Sequence, residues 1–273
     1  MRIKKIMAAA AVLLLLLAAA LSAGGGKPES TVIVAGSTSV QPYAEMLAEE
    51  YSILYPEREV DVQGGGSSTG ITAALSGTAD IGMSSRELKG DEENTWNAII
   101  AKDGLVVIVH PDNPIGDLTV EQVRGIYAGT FTTWSELGGT AEHKIHVIAR
   151  EEGSGTRSAF ESMVMDGVMI TPTAIVQASN GSVRQLVGSD RNSIGFISLG
   201  LVDDTIKDLK LDGISASWEN IMNNSYMLFR PFIFVANVEP SGPAKHFIDF
   251  VLSAEGQALL TREGLISITE GAQ

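Results

Sequence analysis

Gly64-Gly65-Gly66-Ser67-Ser68-Thr69-Gly70 is the stretch that decides the fold, because it lies between a strand-like segment at 59–63 and a helix-like segment at 71–75. Glycine removes side-chain bulk, and the start of a helix carries backbone N–H groups that have no partner inside the helix. With three added hydroxyls, such a stretch is suited to hold an oxyanion. One such stretch is weak evidence for an oxyanion site, but two similar loops elsewhere in the chain strengthen it.

Two further loops bring hydroxyls to the start of a predicted helix. Residues 36–39 follow a β-branched strand at 31–35, and we predict Ser39 as the N-cap of the next helix, with Pro42 in its first turn. Residues 150–156 follow a strand that ends in Arg150, whose guanidinium can form two parallel hydrogen bonds to an oxyanion. We call residues 36–39, 64–70 and 150–156 the first, second and third hydroxyl loops.

A short strand ends in Ser84-Ser85-Arg86. Ligands of open α/β sheets bind outside the carboxyl ends of the strands, so we expect this end to face the same crevice as the loops. Arg86 either contacts the ligand there or pairs with Glu87 or another nearby acid.

The chain has 273 residues, of which 44% are hydrophobic and 19% charged, which fits one large or two modest domains. Apolar strands at 105–109 and 226–235 are suited to cross between two domains, and two prolines within 110–114 end the first. We predict helices that begin near Thr119 and Ser179, one helix over 244–260, and a core position for the aromatics Tyr127, Phe131 and Trp134.

The first 23 residues have the pattern of an export signal: Arg2, Lys4 and Lys5 precede an apolar run over 6–21 and small residues follow. The run is shorter than the roughly 20 residues of a spanning helix. Cleavage near Ala23 and retention as an anchor both remain open. The sequence contains no cysteine, and Gly24 stands where a lipoprotein signal needs one, so thioether lipidation, disulfides and thiolate metal sites are excluded.

The formal net charge is −14, and loss of residues 1–23, which carry three positive and no negative charges, would make it −17. This balance argues against nucleic acid and anionic membranes as partners. An anionic ligand must therefore be attracted by local dipoles and placed arginines.

Taken in order, these segments resemble the ligand segments of the phosphate-binding proteins that serve phosphate ABC transporters, within the periplasmic binding protein superfamily. The resemblance covers about residues 31 to 270. The matching segments are 34–42, 64–70, 80–86, 150–156, 192–200 and 247–257.

The resemblance implies a two-lobed α/β fold of the type II binding-protein class, with mixed sheets flanked by helices and the ligand in the cleft between the lobes. It implies one lobe from residues 31–109 plus 231–273 and a second from 110–230, after a signal or anchor at 1–23 and a linker at 24–30. It also implies extracytoplasmic phosphate uptake by a periplasmic or cell-surface monomer that delivers phosphate to permease subunits, without cofactor, metal or catalysis. The implied phosphate contacts are Thr38, Ser39, Ser67, Ser85, Arg150, Ser154, Gly155 and Thr156.

Ser85 departs from part of that family, in which an aspartate accepts the proton that phosphate keeps at neutral pH. A carboxylate would repel sulfate, which has no proton, whereas a serine hydroxyl cannot. Either another acidic group, such as Glu151 or Glu152, replaces the aspartate, or discrimination against sulfate is weaker here.

Other functions remain as alternatives. Residues 66–70 also spell the G-x-S-x-G pattern of a hydrolase nucleophile elbow with Ser68 as nucleophile, although no suitable histidine is evident. His143 and His146 lack nearby metal ligands and are typical of surface positions. A binding protein for another oxyanion and a phosphate sensor are closer alternatives.

Overall fold

The computed structural model describes residues 31–139 and 143–268, and from Val32 onward it forms one unit. The predicted signal at 1–23 and the linker at 24–30 lie outside the described residues. None of the helices in the described ranges is both long and apolar enough to cross a membrane.

Eleven strands are found in the described ranges. They are β1 (Thr31–Gly36), β2 (Glu59–Gly64), β3 (Ile81–Ser84), β4 (Trp96–Val109), β5 (Asp117–Leu118), β6 (His146–Arg150), β7 (Ile175–Gln177), β8 (Ser193–Ser198), β9 (Lys207–Asp208), β10 (Lys210–Leu211) and β11 (Phe229–Ala236). Nine of them form one mixed sheet in the order β2-β1-β3-β11-β4-β8-β6-β7, with β9 also paired to β4, while β5 and β10 pair separately.

The α-helices of the described ranges flank this sheet. They are α1 (Gln41–Leu54), α2 (Ser67–Ser76), α3 (Val120–Ala128), α4 (Gly155–Phe160), α5 (Asn180–Ser189), α6 (Trp218–Met222), α7 (Gly242–Leu252) and α8 (Ala254–Arg262). A π-helical turn, Glu161–Met165, continues α4.

The long strand β4 joins the two halves of the sheet. Its first part, from Trp96 to Gly104, pairs antiparallel with β11, and its last part, from Leu105 to Val109, pairs antiparallel with β8. Only the last part was predictable as an apolar run. Asp103 and other polar residues interrupt the apolar pattern of the first part, which is a strand because β11 pairs with it.

The two halves of the sheet have separate hydrophobic cores. One core packs α1 and α7 against β1, β3 and β11, with Leu47 and Phe234 among its fully buried residues. The other packs α3 and α4 against β4 and β8, and includes the predicted core aromatics Tyr127 and Trp134, while Phe131 packs against it partly buried. Two cores around one shared strand form a two-lobed α/β architecture.

The predicted helix over 244–260 is two helices that meet at Ser253. The Ser253 hydroxyl donates to the Phe250 carbonyl at 2.7 Å and accepts from the backbone N–H of Gly256 at 3.2 Å, so it caps α8. Helical spacing of apolar residues continues through this break, which is why the pattern did not reveal it.

Gly70 allows α2 to lie directly against the end of β1. A Cβ atom built at Gly70 would overlap the Ala35 carbonyl oxygen and lie 2.5 Å from the Gly36 Cα atom. Since both neighbours are backbone atoms, no side chain can move aside to make room. This close approach sets the second hydroxyl loop beside the first.

We therefore expect Gly70→Ala to lower the free energy of unfolding by about 1–3 kcal/mol, as overpacking does in other cores. Gly181→Ala is the matched control, because Gly181 also lies in the first turns of a helix but its Cβ would meet only the Ser179 hydroxyl, at 3.8 Å. The control should be neutral or stabilising by up to about 1 kcal/mol. Urea unfolding measures both, and equal stability of the two variants would contradict the packing argument.

Candidate functional site

In the first hydroxyl loop, the Ser37 hydroxyl takes the local role that the sequence assigned to Ser39. Ser37 Oγ accepts from the backbone N–H groups of Ser39 and Val40 at 3.2 and 3.4 Å. Helix α1 starts at Gln41 with Val40 as N-cap and no side-chain cap, so the predicted capping role of Ser39 is wrong. Its side chain is instead fully buried among groups from distant parts of the chain.

The second hydroxyl loop is anchored to the first through the backbone. The carbonyl oxygen of Gly36 accepts from the N–H groups of Gly65 and Gly66 at 2.8 and 3.0 Å. Gly66 has a φ of +87°, a backbone conformation that residues other than glycine rarely adopt. The turn makes Ser67 the first residue of α2, with its hydroxyl buried and accepting from the Ser85 N–H at 3.1 Å.

The third hydroxyl loop connects β6 to α4. Ser154 is the N-cap of α4, and its hydroxyl accepts from the backbone N–H of Arg157 at 3.2 Å. The helix begins at Gly155, so Gly155 and Thr156 occupy its first turn. Ser154 and Thr156 are both almost completely buried.

Direct contacts bring the three loops together at one place. Ser39 Oγ lies 2.8 Å from Thr156 Oγ1, although the residues are 117 positions apart. Ser85 Oγ accepts from Ser37 Oγ at 2.8 Å and lies 3.4 Å from Ser67 Oγ.

Gly155 allows the second and third loops to approach each other closely, because it has no side chain. A Cβ atom at Gly155 would overlap the Ser67 hydroxyl and lie 2.7 Å from the Ser85 hydroxyl. Ser39, Ser67, Ser85 and Thr156 therefore form one buried polar cluster, and its side chains can donate hydrogen bonds to a tetrahedral oxyanion.

Asn180, at the start of α5, belongs to this cluster and was not predicted. Its side-chain amide donates to Ser39 Oγ at 2.9 Å and to Thr38 Oγ1 at 3.2 Å, while its carbonyl oxygen accepts from the Ser198 N–H at 3.3 Å. It lies directly after the predicted N-cap Ser179, which the structure confirms as a cap. That capping pattern explained the segment fully, so nothing in it indicated a second role.

Arg150 is buried and only partly satisfied. Its Nε and Nη2 atoms both donate to the Glu151 carboxylate at 2.9 Å, and they also donate to the carbonyl oxygens of Gln177 and Ala178 at 3.1 and 3.2 Å. Its Nη1 atom has no hydrogen-bond partner within the described residues. The pairing with Glu151 therefore occupies one edge of the guanidinium and leaves another nitrogen available.

A second buried arginine, Arg230, also escaped prediction. It lies opposite Asp103 where β11 pairs with β4, and its Nε and Nη2 atoms donate to Asp103 Oδ2 at 3.1 and 3.0 Å. Nη2 also donates to Ser39 Oγ at 3.0 Å, and Ser198 donates to Asp103 Oδ1 at 2.7 Å. A charged residue within the apolar run 226–235 was the one available signal.

Burial dominates the ionisation of this pair. Burial raises the pKa of Asp103, and the Arg230 charge and the Ser198 hydroxyl act in the opposite direction. Burial lowers the pKa of Arg230, the Asp103 charge opposes this effect, and the charge of Arg150 adds to it. The two guanidinium groups are thus close enough to repel each other.

Arg86 forms the ion pair that was one of its two predicted arrangements, and the nearby acid is Glu92. It is buried and pairs with Glu92 through both Nη1, at 2.7 Å, and Nη2, at 2.9 Å. Nη1 also donates to the carbonyl oxygen of Glu87 at 2.8 Å, and Nη2 to Ser68 Oγ at 3.4 Å.

The histidines of the described residues bond elsewhere. His246 Nδ1 lies 2.9 Å from the Tyr51 hydroxyl, and His146 Nδ1 lies 2.6 Å from Asp190 Oδ2. In the ranges 31–139 and 143–268, no group of three or more histidine, aspartate or glutamate residues is arranged to hold a metal ion.

Comparison with known proteins identifies the family. The model of the PBP superfamily domain matches residues 21–255. The phosphate-binding protein PstS of Pseudomonas aeruginosa is 30% identical over 263 residues, which cover 85% of this chain and 81% of that protein. This chain belongs to the PstS family of the PBP superfamily.

Solved structures of similar proteins share the fold. A substrate-binding protein of Clostridium perfringens, assigned to a phosphate ABC transporter and solved with bound phosphate, is 41% identical with a TM-score of 0.84, over 87% of this chain and 99% of that one. An ABC-type phosphate transport receptor of Vibrio cholerae is 37% identical with a TM-score of 0.71, over 86% and 99%. The predicted family and two-lobed fold are confirmed.

In this PstS family member, we expect Asp103→Asn to lower the free energy of unfolding by about 3–5 kcal/mol, because it leaves the Arg230 charge buried without a counter-charge. The control is Asp249→Asn, which breaks the pair of Asp249 with Lys245, where both side chains are more than half exposed. The control should cost less than about 1 kcal/mol. Denaturant unfolding without added anions measures both, and equal losses would contradict the importance of burial.

Proposed function

We propose that this protein binds inorganic phosphate outside the cytoplasm and delivers it to the permease subunits of an ABC transporter. The observation that carries the proposal is the buried cluster in which Ser39, Ser67, Ser85 and Thr156 meet. Its neutral donors, together with a buried guanidinium, are what a desolvated oxyanion needs. The relatives named above are phosphate-binding and phosphate-transport proteins.

We propose that each hydroxyl loop contributes ligands of the phosphate. Hydroxyl and backbone N–H groups bind its oxygens, and Arg150 supplies positive charge through its Nη1 atom. The proposed ligand residues are Thr38, Ser39, Ser67, Ser85, Arg150, Ser154, Gly155 and Thr156.

The proposed activity consists of binding and lobe closure, without a chemical step. Residues 31–109 with 231–273 form one lobe, residues 110–230 form the other, and phosphate binding favours the closed arrangement in which Ser39 meets Thr156. Residues 1–23 export the chain to the periplasm or cell surface, where it acts as a monomer.

Arg150→Ala tests the assignment of the site. We expect phosphate affinity to fall by at least about 100-fold, because the variant loses charge-assisted hydrogen bonds worth about 1.5–3 kcal/mol each. Isothermal calorimetry with phosphate measures the change. Arg191→Ala is the control, since Arg191 is an exposed arginine paired with Asp112, and it should bind phosphate like the wild type. Unchanged affinity of Arg150→Ala would exclude this site.

Ser85 governs the proposed selectivity. The Ser85 hydroxyl accepts from Ser37, and one candidate replacement for a proton-accepting aspartate, Glu151, has both carboxylate oxygens bonded to Arg150. Glu152 is exposed. We therefore propose that this site discriminates against sulfate less strongly than a site with an aspartate at this position.

We expect sulfate to compete measurably with phosphate for the wild-type protein, and Ser85→Asp to weaken sulfate binding at least about 10-fold more than phosphate binding. Ser85→Asn has nearly the same size without the charge, so it should weaken both anions to a similar extent. Competition calorimetry at neutral pH measures these ratios. The proposal fails if Ser85→Asp and Ser85→Asn change the ratio of sulfate to phosphate affinity equally.

A further inference from the structure

Arg230 has the features of a ligand residue rather than of a purely structural ion pair. It is 3% exposed, and its Nη1 atom, like that of Arg150, has no hydrogen-bond partner within the described residues. A buried donor without a partner costs about 1–3 kcal/mol. Arg86, which is also buried and paired with an acid, has no such orphaned nitrogen. Of these three buried arginines, only Arg150 and Arg230 therefore have a buried nitrogen without a hydrogen-bond partner.

The geometry of the guanidinium shows where the unpaired nitrogen faces. Nε and Nη2 form the edge that contacts Asp103, and Nη2 and Nη1 form the next edge of the planar group. On that second edge Nη2 donates to Ser39 Oγ. The adjacent N–H of Nη1 points in the same direction, toward the hydroxyl cluster that Ser39 shares with Thr156 and Asn180.

We propose that Arg230 is a second cationic ligand of the bound oxyanion, held in position by Asp103, and this inference rests on the proposed function. Nη1 of Arg230, on β11, and Nη1 of Arg150, at the end of β6, approach the anion from different strands. An anion between them relieves the repulsion of two buried like charges and supplies the acceptors that both nitrogens lack.

Asp103 contributes by fixing the direction of the guanidinium. It bonds two nitrogens of Arg230 through one carboxylate oxygen, while Ser198 holds the other oxygen. Asp103 thereby cancels the formal charge of Arg230 without covering its Nη1 atom. Asp103 is a positioning residue in this proposal.

Arg230→Lys is the first test, because lysine keeps the charge beside Asp103 but has no second nitrogen for the anion. We expect phosphate affinity measured by calorimetry to fall about 10- to 100-fold. Arg86→Lys is the matched control, since Arg86 lines the same cavity of about 170 Å³ as Arg230 but is held by Glu92. It should stay within about 3-fold of the wild type, because no nitrogen of Arg86 is buried without a hydrogen-bond partner.

A double-mutant cycle with Ser39→Ala separates direct contact from an effect through Ser39. A direct contact predicts that Arg230→Lys still weakens phosphate binding at least about 5-fold in the Ser39→Ala background. If the substitution has no effect in that background, Arg230 acts only by orienting Ser39 and the inference is overturned.

The double variant Asp103→Leu with Arg230→Met removes both charges, so its folding does not depend on an unpaired buried ion. Circular dichroism checks that it is folded, and its phosphate affinity should also fall at least about 10-fold. Wild-type affinity in this variant or in Arg230→Lys overturns the inference and leaves phosphate binding intact. Absence of phosphate binding by the wild-type protein itself would instead overturn the proposed function.

Discussion

The ion pair between Asp103 and Arg230 is the interaction on which the arrangement of the site depends. It lies across the β4–β11 pairing, next to the point where β4 changes its partner from β11 to β8. From there it reaches both halves of the molecule, because Arg230 donates to Ser39 after β1 and Asp103 accepts from Ser198 at the end of β8. Both charges are buried, so each is stable only while the other is in place.

The hydroxyl loops contain small residues because the three loops must approach one another closely. The site must present many donors within a small buried volume, and side-chain bulk at its walls would separate the loops. Gly70 brings α2 onto the backbone of β1, and Gly155 brings the start of α4 onto Ser67 and Ser85. The loops can therefore place hydroxyls and N–H groups around one anion without large side chains between them.

Local sequence patterns predicted those elements whose ends are marked by nearby residues, such as a capping residue at the start of a helix. Helix α3 begins directly after its predicted start at Thr119, whose side chain caps it, with Gln122 completing a capping box. The first part of β4 was missed because a polar segment there becomes a strand only through its pairing with β11. The break at Ser253 was missed because the apolar spacing continues across it.

The residues of the site likewise divide into those with a local sequence signal and those that depend on contacts between distant parts of the chain. Hydroxyl loops are recognisable from glycine and serine at the start of helices, and the structure brings those residues together. Asp103, Asn180 and Arg230 carry no local signal of this kind, because their relation to Ser39 exists only after strands distant in sequence have paired. An arginine in an apolar strand requires a buried partner, but the sequence does not show which acid supplies it.

Charge balance explains how an acidic protein can still hold an anion. Its net charge of −14 opposes phosphate at long range, and the buried arginines Arg86, Arg150 and Arg230 are each neutralised by an adjacent carboxylate. The ion pairs therefore attract an anion little at long range, and the guanidinium groups act on it only at short range. What remains are directed donors: hydroxyls, N–H groups and the two Nη1 atoms that the carboxylates leave uncovered. A site built this way recognises an oxyanion by the positions of its acceptor oxygens, and it has this power only when water is excluded and the lobes are closed.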